Sequence, residues 1–145
     1  MIDLEQLRAE VVGRRFPDGT FTIEGYEAWL SADALQSPAL PEGTAHPMYI
    51  YYAGLVGMGI SLDELFAMVH SSAAEGPMFG ELTLDQARPL RIGETVTIRG
   101  EIIDVDRKGG RSGTFDIVTF ELAVVDADNE VVGSCRNSFI FPRRS

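Results

Sequence analysis

The stretch from Gly43 to Asp63, GTAHPMYIYYAGLVGMGISLD, most constrains what this chain can fold into. It is apolar on nearly every face and has no acidic or basic residue between His46 and Asp63. A helix of this kind is buried, since a surface helix would have one polar face. Starting near Pro47, which suits a first helical position, it would run for about 16 residues, too short to cross a bilayer. The rest of the chain must therefore wrap around it.

The segment from Met78 to Arg143 can supply this wrapping, because its pattern is almost entirely that of strands and turns. A chain of 145 residues with 45% hydrophobic content has enough apolar material for a single core. The simplest way to bury both parts is a curved antiparallel sheet closed around one central helix. The sequence therefore predicts an α+β fold in a single domain, residues 1–145.

Charge and cysteine content limit the kind of partner. The net charge is -10 with a pI near 4.5, which disfavours nucleic acid and anionic membrane, since both attract basic surfaces. Cys135 is the single cysteine and cannot form an internal disulfide. Asp3 and Glu5 stand where a signal peptide would have basic residues. We therefore expect a cytoplasmic protein that binds neither nucleic acid nor membrane.

The N-terminal third predicts short elements around the central helix. Asp3 can cap a helix that runs to about Val12, and Thr20 to Glu24 alternates as a first strand. A second helix is predicted from Tyr26 to Leu35, with Trp29 and Leu30 facing inward. Further along the chain, Ser61 and Glu64 have the spacing of a capping box, and one bent helical arm could join this helix to the central one.

Three glycines, Gly54, Gly57 and Gly59, lie in or near the central helix. Each glycine costs about 1 kcal/mol relative to alanine in a helix interior. Their presence suggests that another backbone, or a ligand, approaches the helix closely.

The strand region predicts specific features. A change of phase predicts a bulge between Gly100 and Ile103, and RKGGRSG, Arg107 to Gly113, is read as a hairpin loop. The strand from Phe115 to Val125 alternates. Its predicted inward residues are Val118, Phe120, Leu122 and Val124, and its predicted outward residues are Asp116, Thr119 and Glu121. A strand that opens at Gly76-Pro77 and runs through Thr83, and a last strand from Val131 to Phe141, complete the sheet.

Three segments resemble a known family: TAHPMYIYYAGL, then GPMFGELTLDQARPLRIGETVTIRGEIIDVDRKGG, then SGTFDIVTFELAVVDADNEVVGSCRNSFIF. Together they run from about Gly43 to Arg143 and resemble the hot-dog fold, within it the MaoC-like and fatty-synthase-type dehydratase domains. The resemblance implies a curved sheet around a central helix and an acyl thioester of coenzyme A or of acyl-carrier protein as ligand. It implies no cofactor. It also implies a homodimer, or a heterodimer with a second hot-dog chain.

Active members of that family have an Asp-x-Asn-Pro-x-His segment between the first strand and the central helix. Here the interval from Glu24 to Gly43 contains Asp33 and Pro38, but no histidine follows at the family's spacing. Relatives without this pair are usually the non-catalytic half of a dehydratase. Two hypotheses follow: a (3R)-hydroxyacyl-thioester dehydratase or enoyl hydratase, or its non-catalytic acyl-binding subunit. The alternatives are a hot-dog thioesterase and a small-molecule binding module.

His46, at the start of the central helix, is the candidate catalytic residue, because helix N–H groups beside it could polarise a thioester carbonyl. The alternative is that it caps the helix. Candidate substrate-binding residues are Tyr49, Tyr52, Gly76, Pro77, Met78 and Phe79. The tyrosines could instead simply pack their rings.

Arg107, Lys108 and Arg111 form a basic cluster in an acidic chain. They are candidates to bind the phosphates of coenzyme A or of a carrier arm, or they are a solvated hairpin tip. Cys135 is expected to be a packing residue and not a nucleophile. No spacing of histidine, cysteine and carboxylates predicts a metal site.

Overall fold

The computed structural model describes residues 1–144 as four helices, a short 3-10 turn and five strands. The helices are α1 (Leu4–Val11), α2 (Gly25–Ala34), α3 (Tyr49–Gly57) and α4 (Leu62–Met68), and the 3-10 turn is Ala73–Glu75. The strands are β1 (Gly19–Thr22), β2 (Met78–Gln86), β3 (Thr95–Gly110), β4 (Gly113–Val125) and β5 (Val131–Arg143).

The five strands form one antiparallel sheet in the order β1-β3-β4-β5-β2. Helix α3 contacts all five strands and lies on the inner face of the sheet. The inward residues predicted on β4 are all buried there: Val118, Phe120, Leu122 and Val124. The predicted curved sheet around a central helix is thus confirmed. None of the helices in residues 1–144 is both long and apolar enough to cross a membrane.

Helix α3 is shorter than predicted, because the chain leaves the helical conformation at Met58, whose ψ is 148°. The glycines explain why. A Cβ on Gly57 would lie 2.8 Å from the Cβ of Phe21, and a Cβ on Gly59 would lie 1.8 Å from the carbonyl oxygen of Pro17. The backbone around β1 therefore approaches closely, as the glycines predicted. The prediction of one bent helical arm is wrong, because α4 is a separate helix that begins at the Ser61 capping box.

The prediction that Trp29 and Leu30 of α2 face inward is wrong. Trp29 is 65% exposed and Leu30 is 53% exposed, because α2 buries only the small Ala28. Helix α3 is also not covered on every side. Tyr52 is 40% exposed and Val56 is 57% exposed, one turn apart on the face that looks away from the sheet. The single chain therefore leaves a stripe of large apolar side chains uncovered on both helices.

The predicted bulge is confirmed, as the pairing of β3 with β4 shifts register between Ile102 and Asp104. The prediction of a hairpin loop from Arg107 to Gly113 is wrong. The two strands pair as far as Gly110 and Gly113, and only two residues turn the chain. Gly113 has a φ of 118°, which a glycine adopts without strain.

Asp116 was predicted to face outward, and this is wrong. Its side chain has no exposed surface and lies on the inner face, in phase with Val118. Two arginines on neighbouring strands, Arg107 and Arg143, bind its carboxylate. Alternation along β4 already puts Asp116 in the inner phase, but its charge argued against burial, since the arginines that match it lie on other strands.

Candidate functional site

Helix α2 separates two cavities near the start of α3. The loop cavity, about 350 Å³, lies between α2 and the segment that follows it. Its lining includes Trp29, Asp33, Pro38, Pro41, Thr44 and Ile92. The tyrosine cavity, about 320 Å³, lies between α2 and α3 and is lined by Glu27, Leu30, Ser31, Tyr49 and Tyr52. Residues of the interval from Glu24 to Gly43 line both cavities. This is the interval where active members of the resembled family have their catalytic segment.

The tyrosine cavity has an aromatic wall and one carboxylate. The rings of Tyr49 and Tyr52 lie 5.2 Å apart, and Phe21 packs edge-on against Tyr52 at 5.6 Å. The hydroxyls of Tyr26 and Tyr49 donate to Glu27 at 3.0 and 3.4 Å. Tyr49 is 1% exposed. Burial, and after it the charge of Glu27, raise the pKa of the Tyr49 hydroxyl, which therefore stays protonated as a hydrogen-bond donor.

Sequence reasoning did not identify Glu27 as a site residue. It is one of 22 acidic residues, and its partner Tyr49 lies 22 positions along the chain. No local motif joins the two residues, so only the packing of α2 against α3 brings them together.

His46 is partly buried, and its imidazole Nδ1 accepts a hydrogen bond from the backbone N–H of Met48 at 3.0 Å. The neutral ring then has its proton on Nε2, which is a donor. The lone pair of Nδ1 is already engaged. In this geometry the His46 side chain stabilises the turn that leads into α3, whose N-cap residue is Met48.

The first N–H groups of α3 are also engaged. Tyr49 donates to the carbonyl oxygen of His46 at 2.8 Å, and Ile50 donates to that of Pro47 at 3.2 Å. Tyr51 donates to the carbonyl of Met48 at 3.1 Å, and Pro47 has no N–H. Tight turns before the helix thus satisfy the donors that a thioester carbonyl would need.

The other predicted substrate-binding residues lie at the opposite edge of the sheet. Tyr49 and Tyr52 pack beside Phe21 on β1, whereas Gly76 to Phe79 precede and open β2. Since β1 and β2 are the two edge strands, the predicted set is divided between two places. Tyr51, which was not in this set, is the α3 residue that meets Phe79, at 6.1 Å between ring centroids.

The three predicted phosphate-binding residues have different surroundings. Arg107 binds Asp116 through Nε at 2.7 Å and donates to the carbonyl of Ile2 at 3.0 Å. Lys108 forms an exposed ion pair with Asp106 at 2.9 Å. Arg111 is exposed at the hairpin turn and has no ion pair within residues 1–144. Of the three, Arg111 is best placed to meet a phosphate.

The remaining residues with reactive side chains, Cys135 and His70, have structural roles. Cys135 is fully buried, and burial raises the pKa of its thiol to about 12, which is typical of an unreactive packing residue. His70 lies just after α4 and binds Glu10 of α1 at 2.7 Å. Across residues 1–144, no group of three or more histidine, cysteine or acidic side chains is arranged to hold a metal ion.

Comparison with solved structures shows the hot-dog fold. A monoamine oxidase regulatory protein from Archaeoglobus fulgius is 15% identical, with a TM-score of 0.70 and coverage of 92% of each chain. A (3R)-hydroxyacyl-ACP dehydratase complex, HadBC, from Mycobacterium tuberculosis is 16% identical, with a TM-score of 0.65 and coverage of 87% of this chain and 92% of that one. A MaoC-like dehydratase from Rhodospirillum rubrum is 18% identical, with a TM-score of 0.63 and coverage of 100% and 99%.

No curated protein matches the chain in sequence. A family model does: the family described as "FAS1-like, dehydratase domain region" matches residues 44–134. This segment includes α3, the sheet strands β2, β3 and β4, and the start of β5. The match spans more than half of the chain, and the protein therefore belongs to the FAS1-like dehydratase domain family.

Proposed function

We propose that this chain is the non-catalytic, acyl-binding subunit of a MaoC-like (3R)-hydroxyacyl-thioester dehydratase or enoyl hydratase. In this proposal a second hot-dog chain supplies the catalytic acid and base. The observation that carries the proposal is the hydrogen bond from the Met48 N–H to His46 Nδ1. This hydrogen bond uses the Nδ1 lone pair of His46, the histidine near the start of α3.

Dehydration of a 3-hydroxyacyl thioester requires a base for the α-proton and an acid for the departing hydroxyl. The neutral His46 ring offers only the Nε2 proton, since its other nitrogen already accepts a hydrogen bond. Glu27 is engaged by two phenol hydroxyls. No histidine lines the loop cavity or the tyrosine cavity. Neither lining therefore pairs a histidine with a carboxylate, as the family's catalytic segment does.

Stabilisation of the thioester oxygen would also be weak at this end of α3. Polarising a carbonyl requires donors aimed at the oxygen, and such donors contribute a large part of the catalysis in acyl chemistry. Here the N–H groups of Tyr49, Ile50 and Tyr51 are used within the turn. This end of the helix is therefore suited to support a binding wall and not an oxyanion site.

Binding of an acyl chain is supported by the tyrosine cavity, whose wall is formed by Leu30 and the rings of Tyr49 and Tyr52. Gly76, Pro77, Met78 and Phe79 stay proposed contacts at the other edge. Arg111, with Lys108, is proposed to meet the phosphates of a coenzyme A or carrier-protein arm. The proposal includes a single domain over residues 1–145 and a cytoplasmic location, where acyl thioesters are made and consumed.

A second hot-dog chain, or a second copy of this one, is proposed to cover the exposed apolar residues of α3 and β2. Tyr52 and Val56 on α3 are exposed, as are Met78 and Phe79 on β2. Strand β2 is an edge strand whose outer backbone groups have no partner strand within residues 1–144. Such an edge is a template for pairing with another chain. The HadBC relative was solved as a complex.

The test is an assay of the purified chain with crotonyl-coenzyme A and a longer 2-enoyl thioester. Hydration and thioester hydrolysis are followed in the same sample. We expect binding of the thioesters without either reaction. Hydration that is lost in His46→Ala and retained in the matched control His70→Ala would overturn the proposal. Hydrolysis alone would instead identify a thioesterase.

A further inference from the structure

Glu27 is a partly buried carboxylate in the tyrosine cavity that has no counter-charge. Its Oε1 accepts a hydrogen bond from the Tyr26 hydroxyl at 3.0 Å, and its Oε2 accepts one from the Tyr49 hydroxyl at 3.4 Å. Each carboxylate oxygen can accept two hydrogen bonds, so each retains the capacity for one more. Within residues 1–144, no lysine, arginine or histidine forms an ion pair with Glu27.

Other carboxylates that are shielded from solvent in this chain do meet a cation. Glu94 and Asp126 share Arg88, at 2.8 and 3.5 Å, and the buried Asp116 is held by two arginines. Removing a charge from water is costly unless an opposite charge and hydrogen bonds compensate for it. An acyl chain made only of methylene groups would displace water from Glu27 and offer no compensation. The carboxylate therefore favours a ligand that brings its own positive charge.

The wall around Glu27 suits an organic cation. Tyr49 and Tyr52 line the cavity with their ring centroids 5.2 Å apart, and Phe21 packs edge-on against Tyr52 at 5.6 Å. The face of an aromatic ring attracts a cation that lies within about 6 Å of its centroid, and alkylated ammonium groups are commonly bound in this way. The cavity volume of about 320 Å³ lies in the range of small-molecule sites, about 300–1,000 Å³.

The surrounding chain gives this cavity a charge of one sign. The stretch from Phe16 to Ala87 includes α2, α3 and every residue that lines the tyrosine cavity, and it has ten acidic residues and no lysine or arginine. The whole chain has a net charge of -10, so acidic and basic residues balance in the remainder. A field of one sign raises the local concentration of ligands of the opposite sign. It also disfavours the phosphates of a carrier arm, so the acyl end is the part of a thioester that suits this cavity.

We propose that the tyrosine cavity takes the far end of an acyl thioester whose acyl group carries an ammonium group, and that Glu27 and the ring of Tyr52 hold this cation. This inference rests on the proposed acyl-binding function and assigns a substrate class to it. A neutral acyl group of the same shape fills the same volume but leaves the charge of Glu27 without compensation.

The experiment uses two coenzyme A thioesters of the same shape, 4-(trimethylammonio)butanoyl and 5,5-dimethylhexanoyl, in which a carbon replaces the cationic nitrogen. Calorimetry measures the binding of both to wild type, to Glu27→Gln and to the matched control Glu24→Gln. Glu24 is an exposed glutamate three residues earlier, at the start of α2. We expect wild type to bind the cationic thioester about tenfold more tightly than the neutral one. Glu27→Gln should remove this preference, and Glu24→Gln should retain it.

Replacement of a ring gives a second test in the same assay. Tyr52→Leu should reduce the preference for the cationic thioester about threefold, whereas Tyr52→Phe, which keeps the ring, should retain it. An undiminished preference in Tyr52→Leu would overturn the assignment of this ring.

Four further results are decisive. Equal affinities of wild type for the two thioesters, or a preference that Glu27→Gln retains, would overturn the inference while the acyl-binding function stands. An equal loss of preference in Glu24→Gln would also overturn it, because the cause would then be the charge of the whole acidic stretch. Wild type that binds crotonyl-coenzyme A but neither of these two thioesters would overturn this inference alone. Failure to bind all three would overturn the acyl-binding function, and this inference with it.

Discussion

The buried carboxylate of Asp116 accepts a hydrogen bond from Nε of Arg143 at 2.7 Å. Arg107 binds the same carboxylate from the other side. Arg143 also donates to the carbonyls of Val69 and His70 at the end of α4, and Arg107 reaches Ile2 just before α1. One carboxylate therefore ties three strands and two helices together at this end of the sheet.

Replacing Asp116 with asparagine should strongly destabilise the fold. Two buried or partly buried guanidinium groups would lose their counter-charge, and removing one partner of such a pair costs about 3–5 kcal/mol in the free energy of unfolding. The matched control is Glu121→Gln, which removes the more exposed pair with Arg136 and should cost at most about 1 kcal/mol. Urea denaturation measures both variants. Equal losses would contradict the special role of Asp116.

The same carboxylate predicts an acid-dependent loss of stability. Burial opposes ionisation of Asp116, but the hydrogen bonds from Arg107 and Arg143 outweigh it and hold its pKa below the usual value. In an unfolded chain an aspartate titrates at about pH 3.9. Its contribution is therefore present above that pH and is lost as pH falls below it. The stability of wild type should drop more steeply than that of Asp116→Asn on acidification below about pH 4. Parallel pH profiles would contradict this.

Gly59→Ala should be far more damaging than Gly109→Ala. A Cβ on Gly59 would lie 1.8 Å from the carbonyl oxygen of Pro17, whereas one on Gly109 meets nothing within 4 Å. Because the backbone must move at Gly59, we expect the free energy of unfolding to fall by about 3 kcal/mol, the upper end for overpacking. Chemical denaturation of the two variants gives the comparison. A Gly59→Ala protein as stable as wild type would show that the turn at Pro17 does not press against the segment after α3.

Val56→Asp should prevent self-association of the chain. Val56 is on the uncovered face of α3, and a charge there would be buried by any chain that packs on this helix. Val131 has similar exposure, at the start of β5, so Val131→Asp is the matched control. In sedimentation velocity we expect dimers for wild type and the control, and monomers for Val56→Asp. A monomeric wild type would exclude the homodimer and leave a different hot-dog chain as the partner.

The architecture could be predicted from the sequence because its signals are local. The uncharged stretch ahead of Asp63 indicated a central helix, the alternation from Val118 to Val124 indicated an inner face, and Asp3 and Ser61 marked helix starts that the structure confirms. The glycines near the end of α3 predicted the close approach of another backbone or of a ligand, and the structure shows the backbone contact.

Long-range relations could not be predicted in this way. Asp116 has the alternation phase of the inner residues, but its charge led to an outward assignment because its arginine partners were not known. Trp29 was predicted to face inward, yet α2 buries Ala28 instead. Glu27 belongs to no motif. Its role depends on Tyr49 of α3, which only the folded chain brings near.

The measurement that tests the central claim most directly is a proton NMR spectrum of crotonyl-coenzyme A with the purified chain. If the chain binds acyl thioesters without catalysis, the vinyl signals broaden while the spectrum gains no 3-hydroxybutyryl or free coenzyme A signals. Growth of 3-hydroxybutyryl signals above the rate without protein would contradict the account, because the chain would then possess its own acid and base. Vinyl signals that stay sharp would contradict acyl binding itself.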